Sequence, residues 1–143
     1  MGQTVSPTVT RLDPAVSGTA PDEQQVGPIV VVEDDGVILG LMRDALVDEG
    51  FSVICVERPA HAVHMLQGVE PALFLVDIML PDISGMQLAI ELRNSGFLDT
   101  PMVAMSASPF IVDTARKSPV FQGVLAKPFD FEELLATIRR HMA

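Results

Sequence analysis

The chain has 143 residues, with 19 acidic and 9 basic side chains and a formal charge of −10. That length suits one domain with a real core, and a hydrophobic content of 48% argues for a globular chain. The charge argues against a nucleic-acid footprint, which needs a basic stripe, and no apolar run reaches the ~20 residues that span a bilayer.

The first residues lack the basic and apolar regions of a secretory signal. Met1-Gly2-Gln3-Thr4-Val5-Ser6 matches the short myristoylation pattern, which is permissive and carries little weight. A single cysteine, Cys55, cannot form an intramolecular disulfide, so the expected compartment is the reducing cytoplasm.

Residues 1–27 are rich in Thr, Ser, Pro, Gly and Gln and read as a flexible tail or linker. From Pro28 onward, strand and helix signals alternate. Strand-like apolar runs begin near residues 29, 52, 72, 102 and 123. Cys55 lies inside the second run and is expected as buried filler. After the first run, Val37, Ile38, Leu41, Ala45 and Leu46 recur at helical spacing and predict an inward face. A second helix is predicted from Pro59 to Leu66 and a third after Ser84. The fourth, near Pro109 to Lys117, is poorly patterned and cut by Pro119. In the fifth, Phe131, Leu134, Leu135, Ile138 and Met142 mark the buried stripe, and Asp130 with Glu133 forms a capping box. The cations Arg139 and Arg140 suit its last turn. Five successive strand–helix units predict an α/β fold, a doubly wound parallel sheet over residues 28–143.

The chemistry gathers where the apolar runs stop. Ile29-Val30-Val31-Val32 runs into Glu33-Asp34-Asp35, Leu73-Phe74-Leu75-Val76 into Asp77, Val103-Ala104-Met105 into Ser106, and Val124-Leu125-Ala126 into Lys127-Pro128. Taken singly, each has a bland explanation. The acidic triplet suits a solvated turn with an N-cap, Ser106 a helix cap, and Lys127 a surface ion pair. Asp77 is harder to dismiss, because a carboxylate after an apolar run is costly unless paired or metal-bound. In open α/β sheets, ligand sites form at the carboxyl ends of the strands. The flavodoxin-like (βα)5 order 2-1-3-4-5 makes strands 1 and 3 neighbours and brings Asp34 near Asp77, with Ser106 and Lys127 on the far side. His61, His64 and His141 lie on predicted helices without metal-site spacing and read as solvated.

These four segments, Val30-Val31-Val32-Glu33-Asp34-Asp35, Leu75-Val76-Asp77-Ile78-Met79-Leu80-Pro81-Asp82-Ile83-Ser84-Gly85, Met105-Ser106-Ala107 and Lys127-Pro128-Phe129, resemble the receiver domain of two-component response regulators. The resemblance covers residues 28–143. It implies a single-domain switch rather than an enzyme, with Asp77 accepting a phosphoryl group from a sensor histidine kinase or histidine phosphotransfer protein. It further implies that Glu33, Asp34, Asp77 and the backbone carbonyl of Met79 hold Mg²⁺, with Asp34 the more direct acid. Ser106 would bond a phosphoryl oxygen, and Lys127 would pair with Asp77 or the phosphoryl group. The Lys127-Pro128 bond would be cis. Output would pass to an unidentified protein partner, with no nucleic-acid or membrane contact; a homodimer is compatible with the sequence.

Three readings compete. Haloacid-dehalogenase-type phosphatases need an acid two residues after the nucleophile, and here Met79 stands there. A phosphorylation-independent interaction module is favoured by Val124, where many receivers carry an aromatic residue, and by the weak fourth helix. The intact set Glu33, Asp34, Asp77, Ser106 and Lys127 favours the phosphoacceptor. Met79 and Ser108 occupy positions that in the family tune phosphoryl lifetime, and neither offers a strong base to activate water.

Overall fold

The computed structural model describes residues 26–79 and 84–142. The N-terminal hexapeptide and Leu80-Pro81-Asp82-Ile83 lie outside the described residues. Five strands, β1 (Ile29–Val32), β2 (Val53–Val56), β3 (Leu73–Asp77), β4 (Met102–Ser106) and β5 (Gly123–Ala126), form one sheet. All pairings are parallel and the order is β2-β1-β3-β4-β5. The helices are α1 (Gly36–Asp48), α2 (Ala62–Met65, preceded by a 3₁₀ turn Pro59–His61), α3 (Gly85–Asn94), α4 (Pro109–Arg116) and α5 (Phe131–Met142). This is the flavodoxin-like topology expected from five strand–helix units.

Strand alternation divides the core in two. Val30, Val32, Phe74, Val76 and Ala104 pack with Leu66 near α2, Leu88 and Leu92 of α3, and Ala115 of α4. Ile29, Val31, Leu73, Leu75, Val103 and Met105 pack with Leu39, Met42 and Leu46 of α1 and Leu134, Leu135 and Ile138 of α5. Every residue of β1, β3 and β4 is buried, which is why these strands read as unbroken apolar runs rather than alternating ones.

Local chemistry sets the helix ends. Asp35 caps α1, its carboxylate accepting from the amides of Val37 (2.9 Å) and Ile38 (3.2 Å). Ser84 caps α3 through the amide of Gln87. The capping box of α5 is reciprocal: Glu133 N–H donates to Asp130 (2.8 Å) and Asp130 N–H donates to Glu133 (3.1 Å). The Lys127-Pro128 peptide is cis.

Three expectations need correction, while the fourth helix matches its expected short span. The buried stripe of α1 is Leu39, Met42 and Leu46, while Val37 and Leu41 are 73% and 66% exposed and Ile38 also faces outward. That helix is apolar nearly all round, so periodicity could not choose the side that docks. The second helix is one 3₁₀ turn and one α turn, ending at Met65 ahead of Gly68, whose φ is +79°. Cys55 is half-buried rather than core filler, because β2 is an edge strand; burial still pushes its thiol pKa up. The fourth helix is short but regular. Pro109 restricts Ser108 to an extended backbone (φ −89°, ψ 119°), which suits a cap, and its hydroxyl accepts from Ile111 N–H. In α5, Leu134, Leu135 and Ile138 are buried as predicted, Thr137 joins them, and Phe131 is exposed.

At the amino edge of the sheet, Arg93 ties three segments together. One guanidinium nitrogen donates to the carbonyls of Phe97 (2.7 Å), Leu98 (3.0 Å) and Thr100 (2.6 Å). The other donates to the carbonyl of Val120 and the side chain of Gln122, both at 2.7 Å. Gln122 in turn accepts from Met102 N–H at the start of β4. Arg93→Ala is expected to destabilise the fold by about 2–4 kcal/mol, because it strips several carbonyls of a charged donor. Arg93→Lys should recover only part of that, since an ammonium lacks the planar fork; urea unfolding midpoints of the two variants check both.

Candidate functional site

The parallel ladder continues one residue beyond the strands. Glu33 N–H donates to Val56 carbonyl (3.1 Å), Ile78 N–H to Met105 carbonyl (3.0 Å), and Lys127 N–H to Ser106 carbonyl (2.8 Å). This regular backbone fixes where the polar residues emerge. Glu33, Asp77 and Lys127 each stand two positions after a residue of the α1/α5 core, namely Val31, Leu75 and Leu125. Alternation therefore sends all three to one side of the sheet edge. Ser106 stands two after Ala104 of the opposite core and approaches from the other side.

The three side chains meet. Lys127 Nζ lies 2.9 Å from Glu33 Oε1 and 3.0 Å from Asp77 Oδ2. Glu33 Oε2 accepts from Asp35 N–H at 3.2 Å, and Asp77 Oδ1 accepts from Met79 N–H at 3.0 Å. Glu33 is 2% exposed and Asp77 5%, so neither carboxylate could remain charged here without these partners. The acidic triplet thus splits by role. Glu33 is buried in the ion pair, Asp34 is exposed, and Asp35 is the helix cap the bland reading expected.

Burial raises the pKa of Glu33, and the neighbouring Asp77 charge adds to that against the contrary pull of Lys127 and the Asp35 amide. Lys127 is also held above its ordinary value. Burial pulls it down, but the hydrogen bonds and charges of Glu33 and Asp77 outweigh burial. Burial is thus the main cause of the Glu33 shift, and the neighbouring carboxylates are the cause of the Lys127 shift. Carboxylate oxygens of Glu33, Asp34 and Asp77 lie within 4.8 Å of one another. Three carboxylates against one ammonium leave two negative charges uncompensated. An all-oxygen donor set with that surplus fits a hard divalent cation such as Mg²⁺, which takes few carboxylates and keeps its waters.

Ser106 is 1% exposed, and its Oγ accepts from Ser108 N–H at 3.1 Å. Its hydroxyl can also donate one hydrogen bond, and among the described residues no acceptor takes it. Met79 is 59% exposed. Val124 is half-buried and packs on the same side of the sheet as Ser106. An open groove of about 360 Å³ between α4 and β5 runs from Arg116 past Val112 to Lys127. Two features escaped the sequence reading. Gly85 opens α3 so close to β3 that a Cβ there would collide with the backbone of Asp77 and Ile78. The reach of Lys127 to Glu33, 94 residues apart, has no local signal.

The sequence pattern described as the response regulator receiver domain matches residues 29–139. The chain belongs to the response regulator receiver family. Receiver domains are phosphoacceptor modules of signalling rather than classical enzymes. Among curated relatives of this receiver, the transcriptional regulatory protein TcrA of Mycobacterium tuberculosis is 33% identical over 112 residues, covering 78% of this chain and 44% of the relative. The response regulator MprA of Mycobacterium avium is 30% identical over the same share of this chain and 49% of its own length. The receiver thus spans about half the length of these relatives. Among solved structures, the response regulator TrrA of Thermotoga maritima in complex with Mg(2+)-BeF superposes with a TM-score of 0.72 at 25% identity, covering 81% of this chain and 99% of TrrA. The chemotaxis protein CheY4 of Vibrio cholerae shares the fold, with a TM-score of 0.72 at 24% identity over 80% of this chain and 98% of CheY4. No helix among the described residues of this receiver is long and apolar enough to cross a membrane.

Gly85→Ala is expected to destabilise the receiver by about 2 kcal/mol or more, because the clash is with backbone that has nowhere to move. The same variant should shift the amide resonances of Asp77 and Met79 in a ¹H–¹⁵N spectrum, which a loss of stability alone would not do.

Proposed function

We propose that this receiver takes a phosphoryl group on Asp77 from a phosphohistidine of a sensor histidine kinase or histidine phosphotransfer protein. The observation that carries this reading is the buried Asp77 carboxylate, held by Lys127 on one oxygen and Met79 N–H on the other, beside Glu33 and Asp34. In the transfer a carboxylate oxygen of Asp77 bonds phosphorus as the phosphorus–nitrogen bond of the donor breaks. The products are an acyl phosphate and a histidine that regains its proton from solvent.

Phosphoryl transfer chiefly needs positioning and neutralised charge. Glu33, Asp34, Asp77 and the Met79 carbonyl are the residues that would hold Mg²⁺, with Asp34 the more direct acid. When bound, the ion supplies charge neutralisation at the phosphoryl oxygens. Lys127 supplies a fixed positive charge to the same oxygens. Ser106 donates its free hydroxyl proton to a phosphoryl oxygen from the other side of the sheet.

In this reading residues 28–143 are the receiver, residues 1–27 a tail or linker, and the setting is cytoplasmic. Output passes to a protein partner, with no nucleic-acid or membrane contact by this domain, and a homodimer is compatible with it. Val124 in place of an aromatic and an eight-residue α4 make the output face atypical. The half-buried valine also keeps a second reading alive, a receiver-like module that works without phosphorylation.

Incubation with Mg²⁺ and acetyl phosphate is expected to add one phosphoryl mass to the parent and none to Asp77→Asn, and chelation of Mg²⁺ should abolish the gain. No gain with acetyl phosphate or with a panel of histidine kinases would favour the phosphorylation-independent module. Because Met79 and Ser108 provide no base for water, the labelled protein should keep its phosphoryl group for minutes or longer. Intact mass followed over time checks this, and loss within seconds would rule it out.

A further inference from the structure

We infer that the groove between the carboxyl ends of α2 and α3 is the docking site of this chain's own segment Leu12–Val16. The groove holds about 450 Å³. Val63, Leu66, Gly68 and Val69 line it from the α2 end, and Ser95 and Phe97 from the α3 end. Val69 leads into β3 and Phe97 toward β4, so the groove opens at the amino edge of the sheet, remote from Asp77. Val63, Val69 and Phe97 pack on the core but stay only half-buried. The Phe97 ring is fixed edge-on against Phe74, with centroids 5.4 Å apart. None of the lining side chains is charged.

The path of the backbone names the occupant. The Pro28 carbonyl accepts from Ala72 N–H at 2.8 Å. Gly27 runs so close to Glu70 that a Cβ on it would collide with the Glu70 carbonyl. Strands β1 and β3 are parallel, with Ile29 opposite Leu73. Followed backwards from Ile29, the chain therefore tracks the α2–β3 connection in reverse, past Ala72 and Glu70. The next residues of that connection, Val69 and Gly68, belong to the groove. Between Val16 and Val26 every side chain is small or polar, and Leu12 and Val16 are the nearest large apolar ones. The nine intervening residues reach about 30 Å when extended, enough to turn back into a groove that begins beside Glu70. Leu12, Pro14 and Val16 alternate with Asp13 and Ala15, so an extended chain turns all three to one face. Pro14 itself favours an extended backbone at Asp13. An uncharged groove receives that apolar face and leaves Asp13 to water. The tether makes modest affinity sufficient, because a short linker supplies an effective concentration on the order of mM.

The test uses the full chain, ¹⁵N-labelled, with a nitroxide on Ser17→Cys in a Cys55→Ser background. The amide signals of Gly68, Val69, Ser95 and Phe97 are expected to fall to about half or less, as a mM effective concentration implies, while those of Ile78 and Lys127 keep their intensity. Leu12→Asp with Val16→Asp should restore the lost signals. No loss, a loss spread evenly over the domain, or a loss that survives the two aspartates overturns the inference. Mixing nitroxide-labelled ¹⁴N chain with unlabelled ¹⁵N chain should leave the signals intact; loss in the mixture would assign the groove to a second copy and also overturn it. If Cys55→Ser fails to fold, the same two aspartates are placed in the parent without a label. The amide resonances of Gly68 and Phe97 should then shift, and their staying in place overturns the inference.

Discussion

The Lys127 ammonium, shared between Glu33 at 2.9 Å and Asp77 at 3.0 Å, is the contact on which the carboxyl edge of the sheet depends. Two carboxylates sit there almost without solvent, and a buried charge left unpaired is strongly destabilising. Holding one cation over both requires the last strand, the central strand and the first strand to end at the same level. The parallel register supplies this, since the ladder runs on past β1, β3 and β5 through the amides of Glu33, Ile78 and Lys127. A slip of one residue in any of them would turn its polar group to the opposite face.

A buried ion pair of this kind is weak as a source of stability, because desolvation offsets most of the attraction. Its persistence here points to chemistry. The site is underneutralised by two charges, and the raised pKa values of both Glu33 and Lys127 have that surplus among their causes. A site short of positive charge has acids that could hold a cation. The fold tolerates the deficit because Asp34, the third acid, remains exposed to water.

The other side of the edge is built differently. Ser106 belongs with the α2/α3/α4 core, and its hydroxyl is tied by a backbone amide to Ser108, the cap of α4. Whatever engages Ser106 therefore bears on the start of a helix of eight residues, held to the sheet through Val112 and Ala115. Val124 sits on that same side without the bulk of an aromatic ring. The acidic half, with Glu33, Asp77 and Lys127, and the half that faces α4 thus lie on opposite sides of the sheet edge.

Much of this was legible in the sequence. Runs such as Ile29–Val32 and Leu73–Val76 are apolar at every position because interior parallel strands are covered on both faces; five successive strand–helix units indicated the parallel sheet, and the flavodoxin-like topology adopted for them gave the order and the edge at which Glu33, Asp77, Ser106 and Lys127 emerge. Caps that act over three or four residues, such as Asp130 with Glu133, were equally plain. What the sequence left open was decided by docking. Helix α1 carries apolar residues around most of its circumference, so the direction of the crossover from β1 to β2, not periodicity, chose Leu39, Met42 and Leu46 to face inward. Cys55 looked like core until β2 proved to be an edge. The division of Glu33-Asp34-Asp35 into an ion-pair member, an exposed acid and a cap could not be read from three adjacent carboxylates. It follows from a lysine 94 residues away, and only the tertiary fold brings that charge within reach.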